Sequence, residues 1–542
     1  MSINRISRHY RKAMAGLLAS ALCAVLALAG AGCGTNLVAT TNLGKVQGQS
    51  SSNGVLVFKG IPFAAPPVGN LRFMPPQPAK PWSGTRHALT FGKAEAQPPD
   101  ALTGTPQQAQ SENCLTLNVW TPGLDNTKRP VMVWIHGGGF TNGSGSDSIY
   151  DGANLSKRGD TVIVTINYRL GPFGFLYLGN IAGPQYAQSG NLGLLDQLAA
   201  IKWVRDNARA FGGDPGRITV FGESAGSISI SALLGMPAAR GLFNRAIAES
   251  GAANLAHSTQ SAEAITARFM QIAGVSDIAG LRSLTTSQMV SAEAEMKKQK
   301  MQAELLFGPV VDGSALPQAP LDAIAGGSAA GVDLLIGTNL NEINLWTLTV
   351  PSVARFPLSV VSTYMPVVQS AISLTSLATP EAVAASYKSR RPAATDGEVS
   401  LAVITDSMFR VPAIRIAEAR SPKQSKTWMY LFTWPSPVLP RLGACHAIEL
   451  PFVFGNLKAA RISALIGGNP PQSLVDTMQS AWLAFARNGN PSASGVPEWQ
   501  AYDTGSKATM ILNTTSKQQD NPYGADTDVW NGVPFNSVKP SL

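Results

Sequence analysis

Two hydrophobic periodicities alternate along the chain from Leu37 onward. Short runs of branched and aromatic apolar residues recur: Pro130 to His136 (PVMVWIH), Thr161 to Tyr168 (TVIVTINY), Arg217 to Gly222 (RITVFG), Val332 to Gly337 (VDLLIG) and Thr427 to Thr433 (TWMYLFT). Near-continuous apolar runs of this length, bounded by Gly, Pro and Asn, are what strands covered on both faces require. Between them lie stretches of helical spacing, as in Leu192 to Phe211, where Leu194, Leu195, Leu198, Ile201 and Trp203 recur. Strand followed by helix followed by strand predicts right-handed crossovers and an α/β fold. Its central sheet is large and mostly parallel, with helices on both faces. Ligands then bind at the carboxyl ends of the strands. The stretches 256–301 and 350–400 are more polar and helical without strand-like runs, and are expected to be helical cap insertions over that edge.

Composition agrees with a large buried core: 44% of residues are hydrophobic and only 14% charged, which excludes a disordered or fibrous chain. No internal repeat or low-complexity tract interrupts the sequence, so 33–542 is read as a single domain. The first 32 residues differ. A basic start with Arg5, Arg8, Arg11 and Lys12 precedes an uncharged apolar stretch from Ala13 to Ala31 and small residues before Cys33, the pattern of an export signal. Gly30-Ala31-Gly32-Cys33 resembles a bacterial lipobox, in which the cysteine carries acyl chains, but Gly30 departs from the aliphatic residue usual there. Lipid attachment at Cys33, plain signal cleavage and a retained membrane anchor are the three readings. Each places the chain outside the cytoplasm, as a membrane-attached lipoprotein or a secreted protein.

The formal charge of +9 falls to +5 once those four leader cations are subtracted. No Lys/Arg-rich run follows beyond the short Lys297, Lys298, Lys300 cluster, so nucleic acid is not an expected partner. Of four cysteines, Cys23 and Cys33 belong to the leader. Cys114 and Cys445 supply neither a disulfide framework nor zinc spacing, and no metal site is expected.

Candidate chemistry sits at three strand ends. Gly222-Glu223-Ser224-Ala225-Gly226 follows the apolar run at Ile218 to Phe221 and opens a segment, Ser227 to Leu234, that can be helical. A strained serine at a strand-to-helix corner, with glycines where side chains would collide, presents its hydroxyl at a helix N-terminus. Gly137-Gly138-Gly139 follows the strand ending at His136. Three consecutive glycines are entropically costly, and the functional reading is an oxyanion hole built from the N–H groups of Gly138, Gly139 and Ala225.

A serine nucleophile needs an imidazole to take its proton. Five histidines are present: His9 lies in the leader, while His87 and His136 precede the serine, whereas in this kind of site the base follows it and the acid. His257 comes too soon after Ser224 to leave room for an acid-bearing strand, so His446, in LGACHAIELP, is the candidate base. For the acid, Asp312, Glu342 and Asp406 compete. Glu342 is favoured because it follows Leu334 to Gly337 by a short loop, whereas Asp312 reads as a turn carboxylate.

Taken together, the motifs resemble the type-B carboxylesterase family, which includes bacterial para-nitrobenzyl esterases and cholinesterases. The similarity runs from Gly44 to Trp530 through FKGIPFAAPP (Phe58 to Pro67), SENCLTLNVWTP (Ser111 to Pro122), WIHGGGF (Trp134 to Phe140), NYRLGPFGF (Asn167 to Phe175) and NLGLLDQ (Asn191 to Gln197). The resemblance implies the α/β-hydrolase fold and hydrolysis of small-molecule carboxylic esters through a Ser224, Glu342, His446 triad and an acyl-enzyme, without a cofactor. It also implies that Glu223 and Ser250 support the triad, and that Arg72 pairs with Glu112 and Arg169 with Asp196. Relatives usually bridge the cysteine matching Cys114 to one near position 95. Here Lys93 to Gln97 reads KAEAQ, so Cys114 is expected to be a free buried thiol and Cys445 a small packing residue. The loop from Gln97 to Gln110 has no aromatic residue to face a choline cation. A non-catalytic adhesion or binding module on the same scaffold is the rival reading, disfavoured because all three triad positions are kept. Preference for long-chain lipids or amides stays open, since only the pocket would differ.

Overall fold

A computed structural model describes residues 37–100, 108–299, 306–349, 351–355, 380–423 and 426–533. The leader with Cys33, part of the 97–110 loop and parts of both expected insertions lie outside the described residues. Ala39–Leu542 forms one compact unit.

Its frame is an 11-stranded sheet. In chain order the strands are β1 (Gln49–Ser50), β2 (Leu56–Pro62), β3 (Thr116–Thr121), β4 (Arg129–Ile135), β5 (Val162–Ile166), β6 (Gly213–Glu223), β7 (Arg245–Glu249), β8 (Asp333–Asn339), β9 (Thr427–Phe432), β10 (Ala508–Leu512) and β11 (Lys517–Asp520). They lie side by side as β11-β10-β9-β8-β7-β6-β4-β5-β3-β2-β1. From β5 through β4, β6, β7, β8 and β9 to β10 every neighbour is parallel. The margins are antiparallel, with β11 on one side and β3, β2 and β1 on the other. The five runs read from the sequence are β4, β5, β6, β8 and β9, and every residue of β4, β5 and β9 is buried.

Six longer helices matter here: α1 (Leu192–Asn207), α2 (Ala225–Gly235), α3 (Thr259–Ala273), α4 (Thr286–Gln299), α5 (Val411–Arg420) and α6 (Gln472–Asn488). Helix α6 buries Leu474, Val475, Met478, Ala481, Trp482, Phe485 and Ala486 along one stripe and ends at Gly489, whose φ of 73° caps it in the left-handed region. That stripe packs on alternate residues of the central strands, Trp134, Phe221, Ile247, Leu335, Tyr430 and Phe432. The parallel sheet is thus covered by helices on both faces, in the α/β-hydrolase arrangement. In the first expected insertion the described part forms α3, a short helix Ile278–Ser283, and α4. In the second it forms helices Pro380–Ser389 and Asp396–Thr405, then runs through a π-helical turn, Asp406–Arg410, directly into α5, so this helical stretch continues past position 400. No helix among the described residues is long and apolar enough to cross a membrane.

Candidate active site

Strand β6 ends at Glu223 and α2 begins at Ala225, leaving Ser224 to make the corner with φ 56° and ψ −123°. A left-handed φ is costly for a residue with a Cβ, and such strain persists only where the surroundings over-determine it. The surroundings are tight. A Cβ on Gly222 would stand 2.6 Å from the Ile135 carbonyl oxygen and one on Gly226 2.0 Å from it, so both flanking glycines are required by the approach of α2 to the end of β4. The Ser224 N–H donates to Glu249 O at 2.9 Å, tying the corner to β7. Ser224 itself is half-buried.

The glycine loop after β4 lies against this corner: a Cβ on Gly137 would be 3.0 Å from Ser224 Cβ. Gly138, at φ 109°, and Gly139, at φ 60°, are in conformations that side chains rarely adopt. The N–H groups of Gly138, Gly139 and Ala225 donate to no other described residue. Among the described residues they are three donors without an acceptor, one next to Ser224 in the chain and two in the loop whose Gly137 packs against it.

Two further strand ends bring the other predicted residues together. Glu342 follows β8 after a short turn and is fully buried. One carboxylate oxygen accepts from Asn339 N at 2.7 Å, and the other lies 2.7 Å from His446 Nδ1. His446 stands in the loop after β9, and its own N–H donates to Glu342 O at 3.2 Å. The turn is clipped by a reciprocal pair in which Asn341 N donates to Ala444 O and Ala444 N donates to Asn341 Oδ1. The other ring nitrogen, Nε2, is 3.0 Å from Glu223 Oε1. That oxygen has no hydrogen-bond partner among the described residues, so Glu223 acts on the ring through charge. No hydrogen bond links Ser224 and His446 among the described residues.

Burial opposes a charge on the His446 ring, but the Glu223 carboxylate and the hydrogen bond and charge of Glu342 outweigh it and hold the imidazole above its usual range. Burial pushes Glu223 to about 7; His446 draws it down and Glu342 pushes it up. Ser250, at φ 53°, donates its N–H to Gly337 O, while its buried hydroxyl has no described partner.

Sequence reasoning missed three features of this neighbourhood. Glu449 and Glu249 are fully buried beside these residues: Glu449 accepts from Asn339 Nδ2, and Glu249 accepts from Trp482 Nε1 at 3.1 Å. Burial raises Glu249 to about 8 and holds Glu449 well above the carboxylate range, with the neighbouring carboxylates adding to both. Trp346 and Phe409 stand with ring centres 5.1 Å from that of His446 and form an apolar wall. Nothing local in the sequence marks Glu449, Glu249, Trp346 or Phe409.

The remaining candidates fall elsewhere. Asp312 accepts from Ser314 N and Leu316 N, the turn role read from the sequence. Asp406 accepts from the Tyr387 hydroxyl. His257 is buried against Ser261. The pairs Arg72–Glu112 and Arg169–Asp196 form, the second fully buried and doubly hydrogen-bonded at 2.8 and 2.7 Å. Cys114 and Cys445 are both free and buried.

Residues 35–530 match the model of the carboxylesterase family. The chain is 41% identical over 498 residues to the para-nitrobenzyl esterase of Bacillus subtilis, covering 90% of this chain and 97% of that protein. It is 32% identical over 492 residues to the phenmedipham hydrolase of Pseudarthrobacter oxydans, covering 88% and 95%. Among solved structures, a carboxylesterase of Geobacillus stearothermophilus superposes with a TM-score of 0.82 at 40% identity, over 91% of this chain and all of that one.

Proposed function

We propose a mechanism for a chain that belongs to the carboxylesterase family and is a carboxylic ester hydrolase: Ser224 is the nucleophile, His446 the general base and Glu342 the acid that orients the imidazole. The hydroxyl attacks the ester carbonyl while His446 Nε2 takes its proton, and the negative carbonyl oxygen is received by the N–H groups of Gly138, Gly139 and Ala225. His446 returns the proton to the leaving alcohol. Water, activated by the same imidazole, then releases the acid from the acyl-enzyme. The reaction proceeds within a single catalytic domain, and the wall of Trp346 and Phe409 favours apolar acyl or alcohol groups.

The observation that carries this reading is the 2.7 Å pairing of Glu342 with His446 beside a serine held at φ 56° on a strand-to-helix corner. Ser224→Ala is expected to lower kcat by roughly 10⁶-fold while substrate binding persists. Hydrolysis of para-nitrophenyl esters at the native rate by that variant would overturn the mechanism. Because one relative is named for para-nitrobenzyl esters, aryl and benzyl esters are the first substrates to try.

The leader fits export, with lipid attachment at Cys33, plain cleavage or a retained membrane anchor as the three outcomes. The mass of the mature N-terminus separates them, and a chain that retains Met1 outside the membrane fraction contradicts all three.

A further inference from the structure

The oxyanion loop does not hold its own shape. Gly138, Gly139 and Phe140 take φ values of 109°, 60° and 59°, and Phe140 has no glycine's freedom there. Inside the turn, Thr141 N and Asn142 N both donate to Gly138 O, at 3.1 and 3.0 Å. The outer limb, from Thr141 to Gly143, pairs with no strand among the described residues. A glutamine takes the strand's place: Gln97 Nε2 donates to Gly143 O at 2.9 Å, and Gly143 N donates to Gln97 Oε1 at 2.8 Å. The second amide hydrogen of Gln97 goes to Glu95 O at 3.0 Å. One primary amide thus reads both backbone groups of a single residue, and both its hydrogens are used.

The segment that carries Gln97 is anchored from below. Glu95, fully buried, accepts from the Cys114 thiol at 3.0 Å and from Ala96 N at 2.8 Å. Next to Gln97, Pro98 O accepts from Asn142 Nδ2 at 2.8 Å, and from α4 Lys297 Nζ reaches Asn142 Oδ1 at 2.8 Å and Thr141 Oγ1 at 3.3 Å. Movement at Gly143 cannot be absorbed locally. A Cβ there would meet His136 Nδ1 at 2.5 Å and Gly137 O at 2.6 Å, and Gly137 in turn abuts Ser224. Contact therefore runs from Gln97 through Gly143 and Gly137 to the nucleophile.

We propose that Gln97 is the positioning residue of the oxyanion loop: by gripping Gly143 it aims the Gly138 and Gly139 N–H groups at the carbonyl oxygen of an ester bound to Ser224. This rests on the mechanism above. It adds a residue that touches neither substrate nor triad and acts only through backbone.

The test uses the full chain with Gln97→Ala, Gln97→Glu and Ser224→Ala. It reads kcat and KM on a para-nitrophenyl ester, and affinity for an aryl trifluoromethyl ketone, whose adduct with serine bears the oxyanion. Gln97→Ala is expected to lower kcat by roughly 10-fold to 100-fold, the scale of a misaligned reacting geometry, with KM held within about twofold. Ketone affinity falls by the same factor. Gln97→Glu keeps an acceptor for Gly143 N but loses the donor to Gly143 O until its carboxyl is protonated; the titratable groups of this region are Glu95 on its own segment, Glu293, which feels the charge of Glu95, His136 at Gly143, Lys297 on Asn142 and Asp100 paired with Lys297. The ratio of its turnover to that of the native enzyme is therefore expected to rise as pH falls. Native kcat and ketone affinity in Gln97→Ala overturn the proposal, as does a fall in kcat with unchanged ketone affinity. Should Gln97→Ala fail to accumulate folded, a turnover ratio for Gln97→Glu that is flat across pH overturns it. An inactive Ser224→Ala beside an unaffected Gln97→Ala sinks the positioning role alone, whereas an active Ser224→Ala sinks the mechanism beneath it.

Discussion

The His446 ring has a carboxylate at each nitrogen: Glu342 at 2.7 Å from Nδ1 through a hydrogen bond, and Glu223 at 3.0 Å from Nε2 through charge alone. Both favour the protonated ring, and in the proposed mechanism His446 works as a base only when it is neutral. The acid limb of kcat/KM is therefore expected above the usual histidine range. Glu223→Gln keeps the shape and removes one of the two charges, so the ring loses its proton more readily. The acid limb in that variant should shift to lower pH, with the alkaline plateau reduced less than tenfold. A limb that stays where it was would mean that Glu223 carries no charge in the active form. At this scale part was legible in the sequence: motif and spacing point to Ser224 and His446 at strand ends, but they left Asp312 and Asp406 beside Glu342 as acids until the family resemblance singled out Glu342. The acidic surroundings were not, because Glu249 and Glu449 come from different strand ends and converge only when β7, β8 and β9 lie side by side.

Among the elements, the junction of β4, β6 and α2 has the least slack. Helix α2 starts so close to the end of β4 that a Cβ on Gly226 would stand 2.0 Å from Ile135 O and 2.9 Å from its carbonyl carbon. Backbone cannot yield as a flexible side chain can. Gly226→Ala should therefore displace the first turn of α2, costing about 1–3 kcal/mol of stability as overpacked sites do. It should also swing Ser224 away from Gly138 and Gly139, lowering kcat at least tenfold. Melting temperature and fluorophosphonate labelling rate measured together check this, and a variant with native values for both would show that the helix shifts freely. The parallel centre was readable because strands such as β4 and β9 are buried on both faces and so consist of unbroken apolar residues. The rest was harder. Strand β7, Arg245–Glu249, is central yet short, alanine-rich and charged at both ends, so it has no apolar run to notice. At the margin, β2 carries Lys59 and Gly60 where its register shifts between Phe58 and Ile61, which breaks the alternation that would have marked it.

Across the whole molecule, an uncommon number of carboxyls lie where water does not reach. Glu95, Glu249 and Glu293 are all essentially buried, and burial pushes each from 4.5 to about 8. These shifts have the opposite sign to the usual salt-bridged carboxylate. The folded chain keeps a proton that the unfolded chain releases between about 4.5 and about 8, so stability is full below that window and is lost as pH rises through it. Glu293 is the cleanest place to see this: it lies outside the triad, its Oε1 has no partner among the described residues, and Lys297 on the next turn of α4 only partly offsets its burial. Glutamine there is isosteric and cannot ionise. Glu293→Gln is therefore expected to melt higher than the native chain at pH 8.5, with the difference shrinking toward pH 5.5 as the native carboxyl takes up its proton. Groups away from Glu293 titrate equally in both proteins, so the difference between the two melting curves reports this carboxyl together with its partners Glu95 and Lys297. A difference that is constant across the range would mean that Glu293 is already charged in the fold, held there by Lys297.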